Sequence, residues 1–422
     1  MTETRRRSTA LVGDDNRIVV AGQTLTWRTL PKLPQIPSPA AVLVNSGVDA
    51  LAAVRHHAVH GTELLVATSS RVDPAMREEL GESGFAVVMA SGDDSTVKSA
   101  KLKRVEESGR VWLLTSGSTG RPKRIGHTLE SLTTVHGKQP ERTWLCPYSP
   151  GTYAWWQVIT ISLTLADQHL VMIEPSELET WPVIAAEHGV TAASGTPTFW
   201  RQTLYRDTEA LAKVPLEQIT LGGEPVDQAI LDRLREVFPQ ARISWIYASS
   251  EVGASIVVHD GKAGFPKAWL DRDPESASDR PLLSVDGDEL VITSPHHGAG
   301  LDGPVRTGDR VEIVGDNRDR VLITGRLDSD EINVGGSKVS AGLVRNVLTA
   351  HPAVVWARVF ARKAPIVGRM VAAEVVLDSE MGPTTDADLV RWCTSRLPDY
   401  GVPRRIRFLD EIPAKETLKS DV

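Results

Sequence analysis

A short stretch rich in hydroxyl groups and glycines separates an apolar run from a lysine in this sequence. The apolar run, Val111 to Leu114, predicts a short buried strand. Glycine tolerates the positive-φ turns that aim backbone N–H groups at one point, and serine and threonine hydroxyls add further donors. With the positive charge of Lys123 close behind, such a loop suits the phosphates of a polyphosphate. The residues of this predicted phosphate loop are Thr115, Ser116, Gly117, Ser118, Thr119 and Gly120.

Two other interpretations of the loop have to be weighed. A P-loop also binds phosphates, but its signature ends in Gly-Lys followed by Ser or Thr. Here Arg121, Pro122 and Lys123 follow Gly120, and Pro122 prevents a helix from running through the loop. The P-loop is therefore excluded. A flexible surface loop of serine and glycine remains the alternative.

A second set of polar side chains follows the apolar run Ile243 to Ile246. In open α/β sheets, ligands gather at the carboxyl ends of the strands. A tyrosine ring at such an end can stack on a purine, and a carboxylate there can hold Mg²⁺, which prefers oxygen ligands. The alternative is an exposed glutamate after an ordinary core strand. The residues concerned are Tyr247, Ala248, Ser249, Ser250 and Glu251.

Three further segments place turn residues or a carboxylate next to a predicted strand. One is a strand and turn before a possible pocket, one is a strand–Gly-Gly–helix junction, and one is an Arg-Thr-Gly-Asp segment before a predicted antiparallel hairpin. Each pattern alone is also typical of simple turns and caps. The residues are Gly195 and Thr196; Gly222, Gly223, Glu224 and Pro225; and Asp309, with Arg326 at the end of the hairpin.

In this order, the segments resemble the motifs of the adenylate-forming enzymes, the superfamily of acyl-CoA synthetases, adenylation domains and luciferases. The resemblance runs from Ala40 to the end of the sequence and includes a tail motif in which Lys419 stands six positions after Pro413. Lys415, in the same segment, is the competing candidate. The sequence departs from the family pattern at Ala248, where the family has Gly, at Ser250 (Thr) and at Leu418 (Gly).

The resemblance implies roles for these residues. Glu251 would hold Mg²⁺, Asp309 would accept the ribose hydroxyls of ATP, and Lys419 would bridge the carboxylate and the α-phosphate. The other residues at the ATP site would be those of the phosphate loop with Lys123, the Gly222–Pro225 turn, Tyr247–Ser250 and Arg326. Asp328 would be the hinge of a mobile C-terminal domain, and Gly335 and Gly336 would line the passage for a thiol acceptor.

Aromatic residues cluster after the phosphate loop in a chain with only 5% aromatics. The corresponding segment lines the acyl pocket in the resembled family, so the implied pocket residues are Tyr148, Tyr153, Trp155, Gly195 and Thr196. An ordinary core cluster is the alternative, because aromatic side chains bury large apolar areas in any protein. If the pocket assignment holds, the crowding favours a flat or medium-sized acid.

Composition limits the remaining possibilities. The chain has 422 residues and a net charge of −7, which argues against binding to nucleic acid or an anionic membrane. Two distant cysteines, Cys146 and Cys393, suit a reducing cytoplasm and exclude a disulfide framework. We expect neither a transmembrane helix nor a secretory signal, because no long apolar run is present. The oligomeric state cannot be inferred.

Strand and helix patterns alternate through the first third of the sequence, from Ala40 to Met89. This alternation predicts an α/β fold with parallel strands and crossover helices. Together with the resemblance, it predicts a large N-terminal domain at residues 1–325 with mixed and parallel sheets. A hinge at 326–328 and a small mobile α+β domain at 329–422 would follow.

The resemblance implies a reaction of a carboxylic acid with MgATP to give an acyl-adenylate and pyrophosphate, followed by transfer to a nucleophile. We expect a CoA ligase, because the segment from Ile332 to Ser340 resembles that of CoA ligases. Transfer to a carrier protein or an amine is the first alternative. A binding homologue with impaired catalysis is the second, suggested by Leu418, the end at Val422 and the short N-terminal region.

Overall fold

The computed structural model describes residues 11–33, 36–115, 123–273, 280–301, 303–327, 331–334, 336–364, 368–378, 381–413 and 418–419. The chain divides into two compact units. The first unit contains Met1–Ser194, Ser249–Gly253 and His296–Leu301. The second contains Gly195–Ala248, Ala254–Pro295 and Asp302–Val422.

The first unit alternates strands and helices. Its strands are β1 (Arg17–Val20), β2 (Gln23–Thr26), β3 (Ala40–Val44), β4 (Leu64–Thr68), β5 (Ala86–Met89), β6 (Thr96–Lys98), β7 (Arg110–Thr115), β8 (Lys123–Thr128), β9 (Arg142–Cys146), β10 (Gln168–Met172) and β11 (Ala192–Gly195), whose last residue belongs to the second unit. Its helices are α1 (Gly47–His60), α2 (Pro74–Glu82), α3 (Leu129–Leu132), α4 (Tyr153–Thr164) and α5 (Trp181–Glu187).

One sheet of this unit has the strand order β6-β5-β3-β4-β7-β8. Strands β5, β3, β4 and β7 are parallel, and the edge strands β6 and β8 are antiparallel to their neighbours. All five residues of β3 are buried, as expected for a central strand covered on both faces. The predicted parallel sheet with crossover helices is therefore confirmed.

The second sheet of the first unit has the order β11-β9-β10-β1-β2. Its strands are parallel except β2, which forms a hairpin with β1. The hairpin turn consists of Ala21 and Gly22, both with positive φ, as a two-residue turn between twisted strands requires. The sequence analysis did not identify β1 and β2, because four-residue strands carry little periodic signal.

The second unit contains the remaining elements. Its strands are β12 (Gln218–Gly222), β13 (Arg242–Ser249), β14 (Gly253–Val258), β15 (Phe265–Pro266), β16 (Leu282–Asp286), β17 (Glu289–Thr293), β18 (Val305–Val314), β19 (Arg320–Arg326), β20 (Glu331–Val334), β21 (Ser337–Ser340), β22 (Val354–Ala364), β23 (Gly368–Leu377) and β24 (Arg405–Phe408). Its helices are α6 (Pro197–Arg206), α7 (Thr208–Ala212), α8 (Gln228–Val237), α9 (Ala341–Thr349) and α10 (Asp386–Thr394).

Strands of this unit form several sheets. β12 and β13 pair in parallel, whereas β15, β19, β18, β17 and β16 form an antiparallel sheet in that order. β20 and β21 form a hairpin. In the last sheet, β22 pairs antiparallel with β23, and β24 lies parallel to β23 on its other side. Residues of α9 and α10 form a core cluster with one face of this sheet.

Helix α3 is short and ends at Leu132. Thr133 is extended, and its hydroxyl donates to the carbonyl oxygen of Leu129 at 2.7 Å. Threonine side chains compete in this way with the backbone hydrogen bonds of a helix. Within the described residues, no helix combines the length and apolarity needed to cross a membrane.

Candidate active site

The predicted phosphate loop connects two antiparallel strands of the first unit. Thr115 ends β7 and Lys123 begins β8, and these two residues form the last pair of the ladder. The Thr115 hydroxyl donates to the carbonyl oxygen of Lys123 at 3.5 Å. The residues between them, 116–122, lie outside the described part of the chain. They include the predicted loop residues Ser116, Gly117, Ser118, Thr119 and Gly120. The hairpin therefore brings the two ends of the loop together.

The turn that carries Glu251 is organised by its own serines. The Ser249 hydroxyl accepts hydrogen bonds from the backbone N–H of Glu251 at 3.2 Å and of Val252 at 3.3 Å. The Ser250 hydroxyl donates to a carboxylate oxygen of Glu251 at 3.3 Å. Gly298 N–H donates to the carbonyl oxygen of Glu251 at 2.8 Å. These bonds fix the backbone that presents the carboxylate.

A buried histidine that the sequence analysis missed connects the hairpin to this turn. His127, on β8, contacts the carbonyl oxygen of Ser250 through Nε2 at 2.8 Å and the Ser131 hydroxyl through Nδ1 at 3.0 Å. A carbonyl oxygen can only accept, so Nε2 carries the proton and Nδ1 accepts from Ser131. Burial lowers the pKa of His127, which keeps the ring neutral.

A third segment bridges the two, because Ala299 N–H donates to the carbonyl oxygen of Gly126 at 2.7 Å and its neighbour Gly298 donates to that of Glu251. The strand that leaves the predicted phosphate loop and the turn that carries Glu251 therefore belong to one site region of the first unit. A lone histidine in a strand gives no motif, and only the tertiary contact with Ser250 reveals its role.

The aromatic residues predicted to line the acyl pocket lie in three different environments. The Tyr148 hydroxyl lies 3.0 Å from the Ser194 hydroxyl. The Tyr153 ring lies 6.0 Å from the His127 ring, and a Cβ at Gly253 would lie 3.3 Å from the Tyr153 hydroxyl. Tyr153 is therefore close to the Glu251 turn. Trp155 is fully buried and packs edge-on against Trp156 at 5.1 Å between ring centroids.

A hydrogen-bonded triad occupies the second unit. The Tyr247 hydroxyl donates to one carboxylate oxygen of Asp309, and Arg326 lies 3.2 Å from the other. Arg326 also donates to the carbonyl oxygen of Thr307 at 2.8 Å, while Asp309 and Arg326 are paired residues of β18 and β19. A Cβ at Gly308, where φ is 71°, would lie 2.9 Å from Arg326, so glycine allows the guanidinium to approach.

The triad has a defined protonation pattern. Burial raises the pKa of Asp309, and the hydrogen bond from Tyr247 and the charge of Arg326 oppose that rise. Burial raises the pKa of the Tyr247 hydroxyl above its ordinary range, and the charge of Asp309 adds to the effect. Tyr247 therefore remains a donor. Ala248 follows Tyr247 in the chain and ends this segment of the second unit.

The turn after β12 lies next to the tail lysine. Gly222 ends the strand and Gly223 has a φ of 83°. A Cβ at Gly223 would lie 3.2 Å from Cε and 3.5 Å from Nζ of Lys419. The tail lysine and the glycine turn therefore lie close together within the second unit. Lys415 lies outside the described residues.

Glu224 and Pro225 complete this turn. The two carboxylate oxygens of Glu224 accept from the backbone N–H of Thr198 at 2.9 Å and from its hydroxyl at 3.0 Å. In this structure Glu224 therefore stabilises the start of α6, where unsatisfied backbone N–H groups and the helix dipole favour a carboxylate. Gly195 and Thr196 directly precede α6, and Thr196 is its N-cap.

The structure describes only some of the residues predicted at the hinge and the acceptor passage. Gly336 lies in the turn between β20 and β21 with a φ of 95°, and its N–H donates to Asn333 Oδ1 at 2.9 Å. Asp328 and Gly335 lie outside the described residues. Leu327, just before the predicted hinge, donates its N–H to the carbonyl oxygen of Gly308 at 2.8 Å.

Comparison with known proteins identifies the family. A family profile described as AMP-binding enzyme matches residues 38–301, and the profile of the AMP-binding enzyme C-terminal domain matches residues 344–419. The chain belongs to this family, and with it to the adenylate-forming superfamily that the motifs resembled.

Curated relatives are similar over part of the chain. A 4-chlorobenzoate–CoA ligase from Arthrobacter sp is 29% identical over 268 residues, covering 58% of this chain and 49% of that protein. A salicylyl-CoA synthase / salicylate adenylyltransferase from Streptomyces sp is 26% identical over 371 residues, covering 78% and 65%. The chain thus spans about half to two-thirds of the length of these relatives.

Solved structures share the fold. The anthranilate CoA ligase AuaEII in complex with anthranoyl-AMP has a TM-score of 0.70 at 15% identity, covering 97% of this chain and 93% of that one. The amide bond synthetase McbA from Marinactinospora thermotolerans has a TM-score of 0.66 at 19% identity, covering 96% of both chains. The predicted fold class is therefore confirmed.

Proposed function

We propose that this protein activates a carboxylic acid with ATP as an acyl-adenylate, releasing pyrophosphate, and transfers the acyl group to the thiol of CoA, releasing AMP. The observation that carries the proposal is the position of the Lys419 ammonium against the Gly223 turn. Family membership and the Tyr247–Asp309–Arg326 triad support it.

The chemistry requires two anions to meet. The attacking carboxylate is already ionised at neutral pH, so no general base is needed. The carboxylate and the α-phosphate repel each other, and the protein must hold them in line while their charge is neutralised. Lys419 would supply a positive charge between them. Asp309 would orient the ribose, and Tyr247 would hold Asp309 by its hydrogen bond.

The residues present fit a magnesium ion bound mainly through substrate. Within the described residues, no group of three or more His, Cys, Asp or Glu side chains could hold a metal. Mg²⁺ in nucleotide sites commonly uses one or two carboxylates and the phosphates. Glu251, whose carboxylate accepts a 3.3 Å bond from Ser250, would be that carboxylate. The ion would neutralise the departing pyrophosphate, together with Lys123 and the loop donors.

The second step would use a different arrangement of the C-terminal domain. One lysine cannot both complete the first step and leave room for the acceptor thiol. We therefore propose domains at residues 1–325 and 329–422 that rotate about Asp328, with Gly335 and Gly336 lining the acceptor passage. Tyr148, Tyr153, Trp155, Gly195 and Thr196 would line the acyl pocket.

The test is to incubate the purified protein with MgATP, CoA and a library of carboxylic acids, and to identify the products by mass spectrometry. Pyrophosphate exchange with the same library measures the first step alone. An acyl-CoA product together with acid-dependent exchange supports the proposal. An absence of exchange with every acid would favour a binding homologue, the class that the Leu418 departure suggested.

A second acceptor class has support in the names of similar proteins. The relatives include an adenylyltransferase, and one structural neighbour is an amide bond synthetase. If exchange occurs but CoA gives no product, the same assay with a phosphopantetheinyl carrier protein and with amines distinguishes these acceptors. An amide or carrier-bound product would replace CoA in the proposal.

A further inference from the structure

The tail that carries Lys419 is attached to helix α6 at two points. The Gln202 side chain donates through Nε2 to the carbonyl oxygen of Ile412 at 3.1 Å. The Thr196 hydroxyl donates to the carbonyl oxygen of Leu418. Both acceptors are backbone groups, and they lie on either side of the segment 414–417 in sequence. The tail is therefore attached through its backbone just before Lys419.

Leu418 itself contributes to this attachment. Its side chain is 4% exposed, although its neighbour Lys419 is exposed. Its φ of 61° lies in the left-handed region, which is unfavourable for a residue with a Cβ. Tertiary contacts must therefore impose this conformation. The position is the one at which the resembled family has glycine, which adopts such a φ without strain.

Helix α6 is a fixed support for the tail. Phe199 and Trp200 are buried, and the Trp200 indole N–H donates to the carbonyl oxygen of Thr220 at 3.3 Å. Arg201 forms an ion pair with Asp227, the N-cap of α8. Because these contacts anchor the helix without Gln202, the Gln202 amide is available to hold the tail.

Thr196 can serve both the helix and the tail at once. Its hydroxyl oxygen accepts from the N–H of Phe199 at 3.1 Å as the N-cap of α6. A hydroxyl has one proton to donate and two lone pairs, so donation to Leu418 does not compete with the cap. The start of α6 and the position of Leu418 are thereby coupled through one side chain.

We propose that Gln202 and Thr196 are positioning residues that, with the buried Leu418, hold Lys419 against the Gly223 turn for adenylate formation. Together we call these three residues the tail anchor. The inference rests on the proposed function and adds to it a device that favours the first step. Release of the tail anchor would then precede acyl transfer. Gln202 belongs to none of the sequence motifs, so no sequence signal assigned it this role.

The test compares Gln202→Met, which keeps the length of the side chain but removes the donor, with wild type in both half-reactions. We expect pyrophosphate exchange to fall at least tenfold through kcat, with the KM for ATP little changed. Thioester formation from supplied acyl-adenylate should be unchanged. A loss of equal size in both half-reactions, or no loss in either, would overturn the proposal.

Two variants of Thr196 and a control variant on α6 test whether the hydrogen bond to Leu418 positions the tail. Thr196→Val removes the donor to Leu418 together with the N-cap of α6, whereas Thr196→Ser keeps the hydroxyl for both bonds and should retain exchange. Tyr205→Phe changes an exposed side chain of the same helix and should have no effect. If serine restores nothing, the loss comes from packing and the hydrogen bond to Leu418 has no positioning role.

Two measurements on the free protein, which need no substrate, test the tail anchor independently of the proposed function. Hydrogen–deuterium exchange of the tail peptide and acetylation of the Lys419 amine can both be followed by mass spectrometry in the free protein. Faster exchange and a changed Lys419 acetylation rate in Gln202→Met support the tail anchor even if no acid is activated by wild type. Identical rates in the variant and wild type would refute it.

Discussion

Lys419 is the residue whose predicted role depends most on combining its sequence position with its contacts in the structure. Spacing from Pro413 alone selected Lys419, while a charged residue in a tail is ordinarily only solvated. The structure places its ammonium beside Gly223, a turn that also belongs to the family motifs. The carbonyl oxygen of the preceding residue is bound by Thr196. A solvated charge would not require such contacts, which makes Lys419 the first residue to test.

We expect Lys419→Ala to lower adenylate formation about 10²–10³-fold, because a charge-assisted contact in a water-excluded site is worth several kcal/mol. Thioester formation from supplied acyl-adenylate should be retained. Pyrophosphate exchange and single-turnover thioester assays measure the two steps. Lys213→Ala, which removes an exposed lysine paired with Glu209, is the control. Parallel loss of both steps would argue against separate arrangements for the two half-reactions.

Tyr247 gives the second test at this scale. Tyr247→Phe keeps the ring that would stack on adenine and removes the hydroxyl that holds Asp309. A hydrogen bond to a charged group contributes about 1.5–3 kcal/mol, so we expect the KM for ATP to rise roughly tenfold or more. Steady-state kinetics with varied ATP measures the effect. An unchanged KM would show that Asp309 is positioned by Arg326 alone.

At the scale of elements, the hairpin of β7 and β8 does more than connect strands. It closes the predicted phosphate loop at Thr115 and Lys123, and through His127 it holds the turn of Glu251. The predicted phosphate loop and the predicted Mg²⁺ ligand Glu251 are thus both attached to strand β8, at one edge of one sheet. Burial lowers the pKa of His127 and so favours the neutral imidazole at this position.

This arrangement predicts a dependence of stability on pH. Burial lowers the pKa of His127 in the folded protein below its ordinary value of 6.5. Between the folded and unfolded pKa values the unfolded chain binds more protons, so stability is full above about pH 6.5 and falls as the pH drops towards the folded value. We expect His127→Gln to show a smaller loss of unfolding free energy over this window than wild type.

Urea denaturation at several pH values from 7.5 to about 5 measures the difference. Other buried histidines titrate in both proteins, and subtracting the two curves removes their contribution. The charges that face His127 are Arg110, Glu251 and His297. His136→Gln, at an exposed position, is the control for the substitution itself. Superimposable curves for His127→Gln and wild type would contradict the assignment.

At the scale of the whole molecule, the boundary between the two compact units passes through the family motifs. It falls between Ser194 and Gly195 and between Ala248 and Ser249. Tyr247 therefore belongs with Asp309 and Lys419, and Glu251 belongs with the hairpin of the phosphate loop. Residues that are adjacent in sequence, such as Ala248 and Ser249, therefore belong to different compact units.

The predicted hinge gives the test at this scale. Asp328→Pro restricts φ at the residue after Leu327, whose N–H is held by Gly308. If the C-terminal domain rotates here, adenylate formation should persist and thioester formation should fall at least tenfold. The two half-reaction assays measure this. Asp316→Pro, in the loop between β18 and β19, is the control for introducing a proline. A normal second step in Asp328→Pro would reject the hinge.

Much of the fold followed from local patterns. The strand at Ala40–Val44 and the helix at Gly47–His60 lie in the stretch from Ala40 to Met89 for which alternating strands and helices are predicted. Their signal is strong because a fully buried strand is continuously apolar and a helix has a 3.6-residue period. The end of α3 could not be predicted, since the Thr133 hydroxyl competes with the helix backbone.

The sequence by itself determined the family, the order of its motifs and the residue types that could do the chemistry. These depend on local spacing and side-chain type, which a linear chain displays directly. Only the tertiary structure decided that Glu224 stabilises α6, that His127 joins the hairpin to the Glu251 turn, and that Gln202 holds the tail. Each of these is a contact between segments distant in sequence, and its hydrogen-bond partner is fixed only when separate elements pack together.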